Sequence, residues 1–337
     1  MHKNASETSI IIIHQQIDHS RMDELDSLIQ AQEIEKCLIG MGYSVHIVEI
    51  CSLYILEDII HTHPHSIFFN LVDSYNGKDK FAYLIPALLE ANNMRFTGNT
   101  ATSMQLVCQK NLMNSILRNA NIPVPKIPTN TDTSNAWYIV KSVSEHASYG
   151  LSEANVLQGY NAAEKFKSKM KQELGGEWLI EEYIHGREFN ISIIENIHHE
   201  SIVLHPAEMV FHNYAPKQIA IIDYAAKWDE ASFGYNNTKR VFIDTSLESV
   251  DYFLWKEIET ICKQVWSVLG LKGYARIDFR VNESNKPFVI DVNPNPCINS
   301  DAGFIAASHQ SGYNTTQILE QILASSQHAM SSPTKTP

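Results

Sequence analysis

The segment GYARIDFRVNESNKPFVIDVNPNP, residues 273–296, constrains the fold of this chain more than any other. Two runs rich in β-branched and aromatic residues flank the turn-forming NESNKP, so they read as a two-stranded hairpin. Side chains alternate faces along a strand. Arg276, Asp278 and Arg280 therefore share one face of the first strand, and Asp291 and Asn293 share one face of the second. If Asp278 pairs with Asp291, antiparallel register sets Arg276 opposite Asn293. Facing carboxylates repel, so this site expects a cation, and an all-oxygen Asp/Asp/Asn set suits magnesium bridging nucleotide phosphates. A solvent-facing hairpin edge is the competing account, and it leaves the Pro294-Asn295-Pro296 exit unexplained.

Upstream, SIIIIH (9–14), YSVHIVEI (43–50) and SIFFNLVD (66–73) read as strands. Between the first two, Leu25, Leu28, Ile29, Ile34, Leu38 and Ile39 recur at helical spacing, with Gly40 and Gly42 as the stop. This βαβαβ pattern implies a small parallel sheet, but no GxGxxG follows the first strand, which argues against a dinucleotide-binding dehydrogenase. A helix spans 102–119 with Lys110 in its middle and ends at NIPVP. Further strands are expected at 137–143, 177–184, 188–195, 201–205, 218–223 and 239–243, with helices at 160–173 and 247–269. The polar, Pro-containing tail reads as disordered.

At 337 residues the chain is long enough for two or three domains. Its net charge of −12 repels phosphate backbones, so nucleic acid is not an expected partner. No apolar run, Ile10 to Ile13 among them, comes near a membrane span, and the five scattered cysteines contain no CxxC. A reduced, cytoplasmic protein is expected.

Three lysines stand out: Lys110, Lys141 inside the apolar YIVKSV, and Lys227 in DYAAKW. An ammonium in mid-strand is costly if buried unpaired, so Lys141 meets either water or a bound anion. The small-residue stretch at 142–152 can drape backbone N–H groups over phosphates, although a plain turn also accounts for it. In LIEEYIHGREF, Glu181 with the Tyr183 and Ile184 backbone matches what a nucleotide base needs, and Glu188 what a ribose needs. An exposed acidic strand fits that segment equally well.

Taken in order, FTGNTATSMQLVCQKNLMNSIL with NIPVP, YIVKSVSEHASYGLS, WLIEEYIHGREF, DYAAKW, KGYARIDFRV and FVIDVNPNP resemble the ATP-grasp superfamily, more narrowly the D-alanine:D-alanine ligase family. The resemblance implies an α/β ATP-grasp fold, in which an N-terminal βαβ domain precedes two α+β domains sandwiching ATP. The divisions expected are 1–101, 102–186 and 187–326, with a tail at 327–337. It further implies that Lys110 and Lys141 hold the α- and β-phosphates, and that Glu181, Tyr183 and Ile184 contact adenine. Glu188 would bind the ribose and Lys227 the γ-phosphate. Asp278, Asp291 and Asn293 would hold magnesium, with manganese as a substitute, and Arg276 would steady the transferring phosphoryl group. Ser148, in the loop after Lys141, joins the catalytic set. The implied reaction activates a carboxylate as an acyl phosphate, which an amine attacks. Its substrates are small molecules, amino acids in this family, and the assembly implied is a homodimer. Segments 144–151 and 211–236 are the candidate lids.

Departures from the family pattern cluster on the amino-acid side. The first helix begins HQQIDHSRMDELDS in place of a Gly-rich segment with Ser-Glu, leaving Asp23 or Glu24 as substitutes. The loop reads Glu145-His146-Ala147-Ser148 where the family has Glu-Gly-Ser-Ser, and Cys297 replaces a glycine. The expectation is a ligase joining a different pair of substrates. Authentic D-alanine:D-alanine ligation and a non-catalytic, regulatory ATP-grasp protein are the alternatives. The His61-Thr62-His63-Pro64-His65 cluster reads as solvent-exposed rather than metal-binding, and the reactivity of Cys297 stays open.

Overall fold

A computed structural model describes residues 9–18, 21–129, 136–144, 148–215 and 218–326. Glu145, His146, Ala147 and the tail from 327 onward lie outside the described residues, as does the side chain of Asp23. The chain opens with β1 (Ser9–Gln15), α1 (Met22–Gly40), β2 (Ser44–Ile50), α2 (Leu53–Thr62), β3 (Ile67–Asn70), α3 (Leu84–Ala91) and β4 (Arg95–Phe96). Its strands form a parallel sheet in the order β2-β1-β3-β4. The Ile10–Ile13 run explains why. Ile10 and Ile12 enter one hydrophobic cluster, while Ile11 and Ile13 enter another on the opposite face, so a period of two serves two cores. His61 ends α2 on the surface, and His65 is exposed.

The expected helix over 102–119 is two helices, α4 (Ala101–Val107) and α5 (Lys110–Asn119). Between them the Lys110 amide leaves the helical ladder and donates to the Val143 carbonyl at 3.1 Å. Lys110 therefore opens a helix instead of sitting in the middle of one. A three-stranded antiparallel sheet follows, in the order β6-β5-β7: β5 (Trp137–Ser142), β6 (Val156–Gln158) and β7 (Trp178–Glu182), with α6 (Tyr160–Leu174) over one face. It has a small core of its own around Tyr138, Val140, Trp178 and Ile180.

The remaining strands are β8 (Arg187–Glu195), β9 (Ser201–Val203), β10 (Ala207–Phe211), β11 (Thr238–Phe242), β12 (Tyr274–Val281) and β13 (Pro287–Asn293). They build a second antiparallel sheet, β11-β10-β8-β12-β13, with β9 beside β8. Short helices α7 (Tyr224–Trp228) and α8 (Phe233–Asn237) precede β11, and α9 (Tyr252–Val268) buries Ile258, Ile261, Val265 and Trp266 in the core of this sheet. The helices α10 (Gly303–Gln310) and α11 (Thr315–Ser325) close the chain.

Residues 218–223 are not a strand, contrary to expectation; the strand lies at 207–211. The Ala220 carbonyl accepts from the Tyr183 hydroxyl at 3.0 Å and from Arg280, so the segment is held by side chains and not by a ladder. The helix expected from Leu247 begins at Tyr252, and Leu247 and Val250 are exposed.

Two sheets meet at glycines. Gly273 has φ +66°, and a Cβ there would lie 3.0 Å from the Gly98 Cα, so only glycine fits this approach. Tyr274 and Phe304 join Ile10, Ile12 and the apolar faces of α1, α10 and α11 in one cluster, so the parallel sheet and the large antiparallel sheet share a core.

Candidate active site

Asp278 lies opposite Asp291, the pairing supposed from the sequence, and the register accordingly sets Arg276 opposite Asn293. A bulge follows immediately, where Phe279 pairs with Val289, and Ile290 is the extra residue. The bulge matters because the Ile290 carbonyl accepts from Lys141 Nζ at 3.2 Å, tying the small sheet to the large one. On β12 the i, i+2 spacing lets Arg276 grip Asp278 with two bonds, 2.8 and 2.9 Å. Asn190, its neighbour on β8, donates to the same carboxylate at 2.9 Å. Burial works to discharge Arg276, but Asp278 outweighs it and holds the guanidinium above its ordinary range.

All twelve residues predicted from sequence line one cavity of about 530 Å³ between the sheets. Lys110, buried at the start of α5, lies 3.4 Å from Asp291. Lys141 pairs with Glu181, whose second oxygen accepts from Asn114 at 3.4 Å. Lys227, near the end of α7, is pulled below the usual lysine range by burial and by Arg276, against Asp278, Asp291 and Glu188. Past β7, the Tyr183 N–H donates to the Trp137 carbonyl at 2.8 Å. Gly186 then turns the chain into β8: a Cβ there would lie 1.9 Å from the Val281 carbonyl oxygen. Glu188 stands opposite Arg280 in the β8–β12 register and pairs with it at 2.9 Å. Burial still raises the Glu188 carboxyl, although Arg280 opposes this.

The two segments expected as lids touch each other. Ser148, at φ +61°, donates from its hydroxyl to the Ile222 carbonyl at 2.9 Å, and Gln218 donates to Glu153 at 2.9 Å. Arg280 and Tyr183 hold Ala220 beneath them.

The far end of the cavity is built from residues that sequence reasoning assigned no role. Glu24 is turned to Arg21 at 2.9 Å, whereas Asp26, three residues after Asp23 on α1, faces β13's exit. Asp26 accepts from the Cys297 thiol at 3.1 Å and from the Asn299 amide at 2.6 Å. Asp73 follows β3, and Asn295 hydrogen-bonds it. Burial and the neighbouring Asp79 push the Asp73 carboxyl up to about 8, although it opens onto the cavity. Burial and Asp26 push the Cys297 thiol well up, so it is a neutral donor and not a reactive thiolate. Asp26, Asp73 and Asn299 reach this place only through tertiary structure.

Two carboxylates and an amide on paired strands give a magnesium ion hard oxygen ligands and leave its other positions to phosphates, so these residues fit that ion. No group of three or more His, Cys, Asp or Glu among the described residues is placed to hold a metal unaided.

Residues 127–324 match the family model for the D-ala D-ala ligase C-terminus. The chain belongs to this family. It is 22% identical over 302 residues to a D-alanine–D-alanine ligase of Francisella philomiragia, covering 89% of this chain and 93% of that protein. It is 24% identical over 262 residues to an uncharacterized protein, y4sG, of Sinorhizobium fredii, covering 76% and 73%. Its fold matches that of the D-alanine–D-alanine ligase of Bacillus anthracis solved with ATP, with a TM-score of 0.73 at 17% identity over 96% of this chain and 98% of that one. The fold is therefore ATP-grasp, as expected. No helix among the described residues is long and apolar enough to cross a membrane.

Proposed function

We propose that this protein is an ATP-dependent, ADP-forming carboxylate–amine ligase of the D-alanine:D-alanine ligase type, acting on small substrates other than two D-alanines. The observation that carries this reading is the convergence of Lys110, Lys141, Lys227 and Arg276 with Asp278, Asp291 and Asn293 in one cavity. In this reading Lys110 and Lys141 hold the α- and β-phosphates and Lys227 the γ-phosphate. Glu181 and the Tyr183–Ile184 backbone take the adenine, and Glu188, steadied by Arg280, takes the ribose. Asp278, Asp291 and Asn293 would hold magnesium, which supplies charge neutralisation to the phosphate oxygens.

A carboxylate attacks the γ-phosphorus, the bond to ADP breaks, and the amine then displaces phosphate from the acyl phosphate. Arg276 lies where negative charge grows on the reacting oxygens, and its orientation is fixed beforehand by Asp278, so no reorganisation accompanies the reaction. The Ser148–Ile222 contact closes the lids over the acyl phosphate and keeps water out. The division at 1–101, 102–186 and 187–326 and a homodimeric assembly belong to the same reading.

The test is phosphate release from Mg-ATP with D-alanine alone and with pooled amino acids, small acids and amines. Release only in the pools is the expected result. Release with D-alanine alone would make the protein an authentic D-alanine ligase, and ATP binding with no release in any pool would make it a nucleotide-binding protein without turnover.

A further inference from the structure

Asp26 and Asp73 line the same cavity, and neither makes an ion pair with Lys, Arg or His among the described residues. The groups around Asp26 are Asp301, Glu33, Cys297 and Asn299, and those around Asp73 are Asp79, Asp26 and Asn295. All are acids or neutral side chains. A third acceptor stands beside them: Asn299 is 6% exposed and lines the cavity, and its amide nitrogen is committed to Asp26, while its Oδ1 is buried with no hydrogen-bond partner. A buried carbonyl oxygen without a donor is costly, and so are clustered carboxylates without a cation. One ligand removes both costs, and it must bring several N–H donors and positive charge.

Resting on the ligase reading above, we propose that the amine substrate is a dibasic amine, carrying an ammonium or guanidinium in addition to the nitrogen that is acylated, and that Asp26, Asp73 and Asn299 hold this second cation. A zwitterionic amino acid with a neutral side chain presents a carboxylate here and finds no cation among Asp26, Asp73 and Asn299 to receive it. A second ammonium instead offers three donors to a place where the donors present, the Asn299 and Asn295 amides and the Cys297 thiol, are already committed to Asp26 and Asp73. The net charge of −12 favours the approach of the same class of molecule.

Phosphate release from Mg-ATP with a fixed pool of carboxylic acids separates the possibilities, with one amine added at a time: putrescine, agmatine, lysine, n-butylamine and D-alanine. The expected result is a KM for putrescine or agmatine about tenfold or more below that for n-butylamine, the loss of a charged hydrogen bond setting the scale. Lysine working as well as putrescine places the class among basic amino acids; lysine failing places it among diamines. Asp26→Asn and Asp73→Asn should each raise the putrescine KM by about tenfold while leaving the KM for ATP unchanged. Equal use of n-butylamine and putrescine, or variants that do not shift the putrescine KM, would overturn the proposal and leave the ligase reading standing. If no amine gives phosphate release, the ligase reading fails, and calorimetric titration of putrescine into the protein with ATP decides separately. Binding weakened about tenfold by Asp73→Asn supports the cation site, and no binding sinks it.

Discussion

Around the hairpin and the two cavity-lining lysines Lys110 and Lys141, most charges already face an opposite one: Lys110 meets Asp291, Lys141 meets Glu181, Arg276 meets Asp278 and Arg280 meets Glu188. Asp26 and Asp73, by contrast, face only acids and neutral groups. The first arrangement is preorganised: side chains are aimed before a ligand arrives, so binding does not have to pay for their ordering. The second leaves electrostatic work for the ligand to do.

The strongest way to break this contrast is to remove the carboxylate on which Arg276 depends. Asp278→Asn should lower the rate of Mg-ATP-dependent phosphate release by about 10³-fold, the scale of losing a preorganised group at the reacting oxygens. A rate within a few-fold of the parent would show that the hairpin is not the reacting centre. Next comes Lys141→Met, which strands Glu181, whose side chain is 2% exposed. Urea unfolding should show a loss of about 3 kcal/mol, at the low end for breaking a buried pair because Lys141 keeps some contact with water. Adding Glu181→Gln should restore most of that stability without restoring ATP affinity; a double variant as unstable as the single one would contradict the pairing.

The smallest effect sharpens the opposite end. Asp73 holds its proton up to about 8 in the folded protein, while in the unfolded chain its pKa returns to near 3.8. Between those values the unfolded state binds fewer protons, so this residue makes stability fall as pH rises from about 4 to about 8, with no further loss above. Asp73→Asn should therefore raise the Tm measured near pH 8 by about 2–4 °C and leave it unchanged near pH 4. A Tm gain at both ends would mean that charge is not the cause.

The hairpin and the cavity-lining residues around it were legible because they sit in local patterns. Alternation along 273–296 gave the facing of Asp278 and Asp291, and the bulge falls just beyond them, so it does not disturb the pair. Lys110 was misplaced within a single helix because the bond that breaks that helix runs to Val143, thirty-three residues on. Residues 218–223 have strand-like composition, yet side chains from β12 and from just beyond β7 both claim the Ala220 carbonyl. The acceptor cluster was not legible at all. Asp26, Asp73 and Asn299 come from α1, the exit of β3 and the turn before α10, and no periodicity connects them.

The core that joins Ile10 and Ile12 to Ile318, Leu319, Ile322 and Leu323 has a consequence for synthesis. A ribosome makes β1 first and α11 among the last elements, so one face of the opening sheet has no complete cover until about three hundred further residues have emerged. Early strands with an uncovered apolar face are where nascent chains stick to one another or to chaperones. A chain halted before Thr315 would carry all twelve cavity residues singled out from the sequence, yet its first sheet would still be waiting for its last helix.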